Sequence, residues 1–270
     1  MPISNSRVVF ITGASAGIGK ACAHEFYRHG YSVVLFSRRK DRLESIINDL
    51  KQIRPEGEAL AFPGDVTDRI RVFEVIRETL ERLGQIDVLI NNAGAGLNSF
   101  FETMDPKDFQ DLFNLNVMGI FHCTQAVIPI MKQQRSGQIV NVTSVIGKRG
   151  VPSRSAYCMS KFAVEGFSES IRSELEPYGI EIIVARPART DTEFFDTETK
   201  GKKFLESMRA YRMPVEKVSQ EIYKAVSRHK RDVTISFGGK FLVFISTVAP
   251  KLVDQIVARI FRKLKKHEKR

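Results

Sequence analysis

The stretch Thr12-Gly-Ala-Ser-Ala-Gly-Ile-Gly19 indicates the fold of this chain when it is taken together with the segments that precede and follow it. A short apolar run, Arg7-Val-Val-Phe-Ile11, precedes it, and a helical pattern follows through His29 to Gly30. Glycines let a backbone approach a phosphate closely, and the N-terminus of the next helix offers unpaired N–H groups. Strand, glycine-rich turn and helix together predict a dinucleotide-binding unit.

Strand and helix patterns continue to alternate along the chain. Further strands are predicted at residues 31–36, 58–62, 86–90, 138–142, 181–185 and 232–236. This order predicts an α/β fold, a Rossmann-like doubly wound parallel sheet of about seven strands with helices on both faces. Ligands of such a sheet bind at the carboxyl ends of the strands, where the glycine loop, Asn91–Gly94, Ser144 and Pro187 should converge.

Length and composition fit one such domain. The chain has 270 residues, of which 43% are hydrophobic and 27% charged. Cys22, Cys123 and Cys158 fit neither a zinc spacing nor a disulfide framework, and the histidines lack a ligand spacing, so no metal and a reducing, cytoplasmic location are expected. No N-terminal signal is recognised, and no apolar run approaches the roughly 20 residues that span a bilayer.

The predicted organisation has two parts. Residues 1–240 are expected to form a single NAD(P)-binding catalytic domain, and residues 241–270 an amphipathic basic C-terminal extension. Within the domain, the polar segment 187–213 carries Phe194, Phe195 and Phe204, which is typical of a lid over a cleft.

The end of the second predicted strand indicates which dinucleotide is bound. A fold that binds NAD often has an acidic residue there, but this chain has Ser37-Arg38-Arg39. Arginine pairs with a ribose 2′-phosphate, and the missing carboxylate removes a repulsion. NADP(H) is therefore the predicted cofactor, with NAD(H) as the alternative if Arg38 and Arg39 are merely solvated charges.

Tyr157 and Lys161 suggest a proton-transfer site. They are four residues apart, so on a helix they lie on one face, and a lysine ammonium beside a phenol lowers the pKa of the phenol. Ser144, at the end of a predicted strand, could complete the site with a hydroxyl group. The spacing by itself is common on protein surfaces, and its interpretation depends on the nucleotide-binding motif.

With these residues in place, the chain resembles the short-chain dehydrogenase/reductase family. The stretch 12–19 matches the cofactor motif, Asn91-Asn-Ala-Gly94 the fourth-strand motif, and Ser144 with Tyr157-x-x-x-Lys161 the active-site pattern. The match runs from about residue 7 to residue 236 in the right order. The resemblance implies an enzyme that binds NAD(P)(H) and transfers a hydride.

The resemblance also implies roles for individual residues. Tyr157 would be the general acid in carbonyl reduction, and Lys161 would lower its pKa and hold the nicotinamide ribose. Ser144 would hydrogen-bond the substrate oxygen, and Asn116 would hold a water that connects Lys161 to solvent. The implied cofactor contacts are Gly13, Ser15, Gly17, Ile18, Gly19, Ser37, Arg38, Arg39, Asp65, Val66, Asn92, Ala93, Gly94, Tyr157, Lys161, Pro187 and Thr192.

Two features depart from the family pattern. Pro187 is followed by Ala188 where the family commonly has glycine, which matters only if that backbone needs a positive φ. Many members that use NADP carry a basic residue in the glycine loop, whereas this loop has Ser15 and Ala16. Recognition of a 2′-phosphate would therefore depend on the residues that end the second strand.

The predicted function is an NADP(H)-dependent oxidoreductase that interconverts a ketone or aldehyde with a secondary or primary alcohol. Two alternatives remain open at this point. One is a non-catalytic scaffold protein that binds the cofactor and keeps the fold, although all four active-site groups are present. The other is a nucleotide-sugar epimerase or dehydratase, which the glycine spacing and the chain length after the sixth strand disfavour.

The C-terminal segment indicates a partner. Residues 251–270 hold eight Lys or Arg against two acids, so the net charge of +11 is largely theirs, and nucleic-acid binding is not expected. A helix there would have one apolar face, formed by Leu252, Val253, Ile256, Val257, Ile260, Phe261 and Leu264.

Such a helix can lie in a membrane interface, with the protein peripheral on the cytoplasmic face of the membrane. Alternatively, it packs on its own body or on a second subunit of a homodimer or homotetramer. A membrane location would favour a hydrophobic substrate, either lipid-, steroid- or retinoid-like or an acyl chain.

Overall fold

The computed structural model describes residues 6–190 and 212–268, with side chains as far as residue 262. Most of the predicted lid lies outside the described residues, and with it Thr192, Phe194, Phe195 and Phe204.

A single sheet of seven parallel strands organises the chain, in the order β3-β2-β1-β4-β5-β6-β7. This topology confirms the predicted Rossmann-like fold. The order reverses beside β1, which is where a doubly wound sheet opens a crevice at its carboxyl edge. The strands are β1 Val8–Thr12, β2 Ser32–Ser37, β3 Ala59–Pro63, β4 Val88–Asn91, β5 Gly137–Val142, β6 Ile180–Pro187 and β7 Asp232–Ile235.

Helices cover both faces of this sheet. Along β1, Val9 and Ile11 pack into one core cluster with Phe26, whereas Val8 and Phe10 belong to a second cluster on the opposite face. The helices in the described ranges are α1 Gly17–Arg28, α2 Lys40–Ile53, α3 Arg69–Leu83, α4 Pro106–Phe113, α5 Gly119–Gln134, α6 Ser155–Leu175, α7 Val215–Ser227, α8 Phe237–Val248 and α9 Pro250–Glu268.

The ends of α3 follow from local chemistry. Its N-cap, Asp68, accepts a hydrogen bond from the backbone N–H of Arg71 at 3.1 Å. Gly84 ends the helix with a φ of 79°, a left-handed conformation that glycine adopts without steric cost.

The helical region that follows Asp105 is interrupted. Asp105 caps α4, as its side chain accepts the N–H of Lys107, but Asn114–Met118 forms a π-helical turn before α5 begins. Such turns often mark functional sites, because they redirect side chains within a helix. Here the turn carries Asn116, which is completely buried.

The C-terminal residues form two helices that meet at an angle. α8 spans the predicted boundary between residues 240 and 241, and its Gly239 is buried against the body. In the described part of the chain, no single helix is long and apolar enough to cross a membrane. Residues 237–248 and 250–262 pass that test only as a pair, and they are bent by 119°.

Candidate active site

The glycine loop after β1 lies against the loop after β4. Gly13 has a φ of +63°, and a Cβ there would come within 2.8 Å of the Cα of Ala93. Gly19 packs closely against Gly13, because a Cβ on Gly19 would meet the Gly13 carbonyl oxygen at 2.4 Å. Both positions therefore require glycine, and the loop backbone lies open towards the cavity.

Thr12 and Asn92 hold these two loops together. The Thr12 hydroxyl oxygen accepts the backbone N–H groups of Asn92 and Ala93, each at 3.0 Å. In return, the Asn92 side-chain amide donates to the carbonyl oxygens of Thr12 and Gly13 at 3.1 and 3.3 Å. The cofactor motif and the fourth-strand motif thus form one hydrogen-bonded unit.

Hydrogen-bond donors are concentrated at the end of β2. The Ser15 hydroxyl oxygen accepts from the Ser37 hydroxyl at 2.7 Å and from Nε and Nη2 of Arg39 at 3.1 and 2.9 Å. Arg38 extends into solvent and lies 3.7 Å from Asp65. A phosphate at this position would meet two hydroxyls and a guanidinium.

The π-helical turn directs Asn116 at the loop after β4. Its Oδ1 accepts the N–H of Ala95 at 2.8 Å, and its Nδ2 donates to the Ala95 carbonyl and to the Ser160 hydroxyl, both at 3.0 Å. Both amide donors of Asn116 are therefore in use. Only acceptor capacity remains for the water that the resemblance implies.

Lys161 lies buried on α6 one turn after Tyr157. Its ammonium group donates to the Val142 carbonyl at the end of β5, at 3.0 Å, and lies 5.7 Å from the centre of the Tyr157 ring. Burial lowers the pKa of Lys161 to about 8, partly opposed by the negative charge of Glu165. Near neutral pH the group is therefore still mainly an ammonium, close to its titration range.

Tyr157 and Ser144 face the same cavity. Tyr157 is nearly buried, with the guanidinium carbon of Arg154 5.9 Å from its ring centre. Ser144 begins a short 3-10 turn and accepts a weak hydrogen bond from the N–H of Ile146 at 3.4 Å. Its hydroxyl proton is therefore not committed to that bond, and it can be donated to a substrate oxygen.

A cavity of about 830 Å³ connects these groups. It is large enough for a dinucleotide portion and a small organic substrate. Predicted residues that line it are Gly13, Ser15, Gly17, Ile18, Ser37, Arg38, Arg39, Asp65, Val66, Asn92, Ala93, Gly94, Ser144, Tyr157, Lys161 and Pro187. Two predicted residues do not line the cavity but support residues that do. Gly19 packs against Gly13, and Asn116 hydrogen-bonds to Ala95.

Sequence reasoning missed several contributors to this site. Thr12 was recognised only as part of the cofactor motif and not as the link to Asn92, and Ser160 was missed although it directly precedes Lys161. Gly239 and Leu242 of α8 line the cavity, although the apolar run there suggested only an extension. Nothing in the local sequence indicates that Gly239 of α8 packs against Val145, the residue after Ser144.

Comparisons with known proteins show what this chain is similar to. A family model described as short chain dehydrogenase matches residues 7–203. The chain is 37% identical over 201 residues to "3-dehydrosphinganine reductase" of Danio rerio, a match that covers 73% of this chain and 60% of that protein. It is 33% identical over 271 residues to "Dehydrogenase/reductase SDR family member 7B" of Bos taurus, covering 97% and 83%.

A solved structure agrees as well. A short-chain dehydrogenase from Streptomyces avermitilis superposes with a TM-score of 0.80 at 28% identity, covering 95% of this chain and 98% of that one. The chain therefore belongs to the short-chain dehydrogenase family. It spans 60% of the length of the Danio rerio relative.

Proposed function

We propose that this protein is an NADP(H)-dependent oxidoreductase that interconverts a ketone or aldehyde with the corresponding alcohol. One observation carries the proposal: Tyr157, Lys161 and Ser144 face the same cavity as the glycine loop. When bound there, the nicotinamide would supply or accept the hydride.

The protein's own residues would move the proton. In reduction, the Tyr157 hydroxyl gives its proton to the carbonyl oxygen, and the Ser144 hydroxyl donates a hydrogen bond to the same oxygen. The Lys161 ammonium favours the phenolate that remains, because opposite charges attract strongly in a buried site. Asn116 keeps the loop at Ala95 in place against α6.

The choice of NADP(H) rests on Ser15, Ser37 and Arg39. An adenosine 2′-phosphate placed beside them would take over as acceptor for the hydrogen bonds that now converge on the Ser15 hydroxyl oxygen. Charge-assisted hydrogen bonds of this kind contribute about 1.5–3 kcal/mol each. The acidic residue that would instead favour an unphosphorylated ribose is absent from the end of β2.

The cofactor assignment is tested with Arg39→Ala. We expect the KM for NADPH to rise about 10- to 100-fold while the KM for NADH stays within about twofold, because only the phosphate contact is lost. Arg28→Ala, an exposed arginine at the end of α1, is the matched control. Equal losses for both cofactors, or no loss for either, would contradict the assignment.

A hydrophobic carbonyl compound is the proposed substrate. Val145, Ile146, Val151, Met213 and Leu242 contribute apolar side chains to the cavity wall. The relative from Danio rerio is, by its name, a reductase of 3-dehydrosphinganine. Both observations favour a lipid-like ketone over a small polar one.

Peripheral membrane contact through the C-terminal helices is part of the same proposal. On α8, Phe237, Phe241, Phe244 and Val248 are exposed and share one face of the helix. No acidic residue occurs between Asp232 and Asp254, whereas Lys240 and Lys251 flank the apolar face. This combination fits a bilayer that contains anionic lipid.

Vesicle flotation tests the membrane contact. The full chain should float with vesicles that contain phosphatidylserine, and Phe241→Ser/Phe244→Ser should lose most of this binding. Ile70→Ser, which changes an exposed apolar residue on α3, is the control. Vesicle binding that survives the double substitution would contradict the assignment. So would a full chain that self-associates through this face and does not bind vesicles.

Turnover tests the reaction itself. NADPH oxidation is measured against ketones of graded hydrophobicity, including 3-dehydrosphinganine, for the wild type and Tyr157→Phe. Loss of the general acid should lower kcat by about 100-fold or more, while NADPH binding by fluorescence persists. Unchanged turnover in Tyr157→Phe refutes the mechanism. Tight NADPH binding without reduction of any ketone would favour the scaffold alternative.

A further inference from the structure

A buried ion pair lies next to Lys161, and the proposed chemistry does not use it. Glu165 follows Lys161 by one turn of α6 and is only 3% exposed, and Arg186 on β6 is 7% exposed. The guanidinium donates from Nε to Oε1 at 2.7 Å and from Nη2 to Oε2 at 2.6 Å. Burying two charges is costly, so such a pair persists where it is tightly hydrogen-bonded.

The same carboxylate is bound to the end of β5. The Thr143 hydroxyl donates to Oε1 of Glu165 at 2.8 Å, and the Lys148 ammonium lies 3.2 Å from Oε2. Thr143 stands between Val142, whose carbonyl receives the Lys161 ammonium, and Ser144. One carboxylate therefore fixes the short segment that anchors Lys161 and presents Ser144.

We infer that Glu165 is a positioning residue for this active site, which holds segment 142–144 in place and keeps Lys161 in its charged form. The inference rests on the proposed function, since it assigns Glu165 a task within that site. Arg186 and Lys148 would hold the carboxylate ionised, because each offers a positive charge within hydrogen-bonding reach.

Glu165 is the neighbouring charge that raises the pKa of Lys161. Tyr157 lies one turn before Lys161 on α6, with its ring centre 5.7 Å from the ammonium, and Glu165 lies one turn after it. The positive charges next to that carboxylate are Arg186 and Lys148. Gly94, which is uncharged, also lies close to this group: a Cβ there would be 3.8 Å from the Lys161 ammonium and 3.0 Å from Oδ1 of Asn116. Burial lowers the pKa of Lys161, and the charge of Glu165 opposes that effect.

The sign of the expected change follows. A nearby negative charge favours the protonated form of both Lys161 and Tyr157, so its removal lowers the pH at which the pair first loses a proton. Glu165→Gln should therefore move the alkaline limb of the kcat profile to lower pH by about one unit. We expect kcat at neutral pH to fall, while the KM for NADPH changes less than about twofold.

Two companion variants separate this role from simple stability. Glu165→Gln leaves Arg186 buried with Asp232 alone, which can destabilise the fold, whereas Glu165→Met/Arg186→Met removes both charges at similar volume. The double variant should shift the alkaline limb in the same direction but by less, because it also removes the positive charge of Arg186. Glu169→Gln is the matched control, because Glu169 also pairs with Lys148 but is exposed, and its profile should match the wild type.

A measurement without turnover makes the test independent of the proposed reaction. NMR titration of isotope-labelled lysine follows the Lys161 side chain directly, with Lys161→Arg to assign the signal. A Lys161 pKa that stays at its wild-type value in both folded Glu165 variants overturns the inference, even if the enzyme reduces ketones. A wild type that reduces no ketone refutes the proposed function, while the titration still decides the role of Glu165.

Discussion

Phenylalanine side chains are buried in the sheet but largely exposed on the C-terminal helix α8. On β1 and β2, Phe10 and Phe36 have no exposed surface, because helices cover both faces of the sheet. On α8, Phe237 is 89% and Phe244 62% exposed, although this helix is also strongly apolar. Hydrophobicity in a sequence therefore indicates that a surface needs a partner, but not whether that partner belongs to the same chain.

α9 combines both behaviours in one helix. Val253 is buried, and Phe261 packs edge to face on Phe100 with ring centres 5.9 Å apart. Leu252 and Ile256, from the same predicted apolar face, are about half exposed. That face is therefore wider than its contact with the body: part of it packs on the body, and the rest is exposed.

The largest expected difference between the two regions is in stability. Phe10→Ala should lower the free energy of unfolding by about 3–5 kcal/mol, because it leaves a cavity in a closed core. Phe244→Ala should change it by less than about 0.5 kcal/mol, because the ring is already largely in water. Urea denaturation of both variants measures the contrast. A comparable loss for Phe244→Ala would mean that α8 is covered in solution.

Glycine substitutions should separate the regions by a smaller amount and with opposite signs. Gly19→Ala should cost about 1–3 kcal/mol and weaken NADPH binding, because its methyl group would overlap the Gly13 carbonyl. Gly238→Ala on α8 should stabilise the protein by about 0.4–1 kcal/mol, because a methyl group there meets no atom within 4 Å. Thermal unfolding and cofactor titration check both. A stabilising Gly19→Ala would contradict the described loop packing.

The smallest expected effect concerns the link between the two regions. Arg149 and Asp254 form an ion pair that ties α9 to the body. Asp254→Asn should cost about 0.2–1 kcal/mol in dilute salt and less in concentrated salt, because Asp254 is exposed and its charge is screened. A double-mutant cycle with Arg149→Gln isolates the pair. A coupling energy that does not fall with salt would contradict this account.

Local patterns predicted the framework well. The strand predicted at 138–142 occupies Gly137–Val142, and the strand predicted at 181–185 lies within Ile180–Pro187. The π-helical turn at Asn114–Met118 was not predicted, because it depends on the contact of Asn116 with Ala95, a residue 21 positions away.

The sequence by itself determined where the functional residues lie relative to the strands. A glycine loop follows the first strand, and a serine, a tyrosine and a lysine follow the fifth. Those features depend on periodicity and on spacings of four residues, which are local. Only the tertiary structure decided that Thr12 joins two motifs, that Glu165 is bound by Arg186, and that α8 forms a wall of the cavity. These depend on contacts between distant parts of the chain, and such contacts exist only once the sheet has brought those parts together.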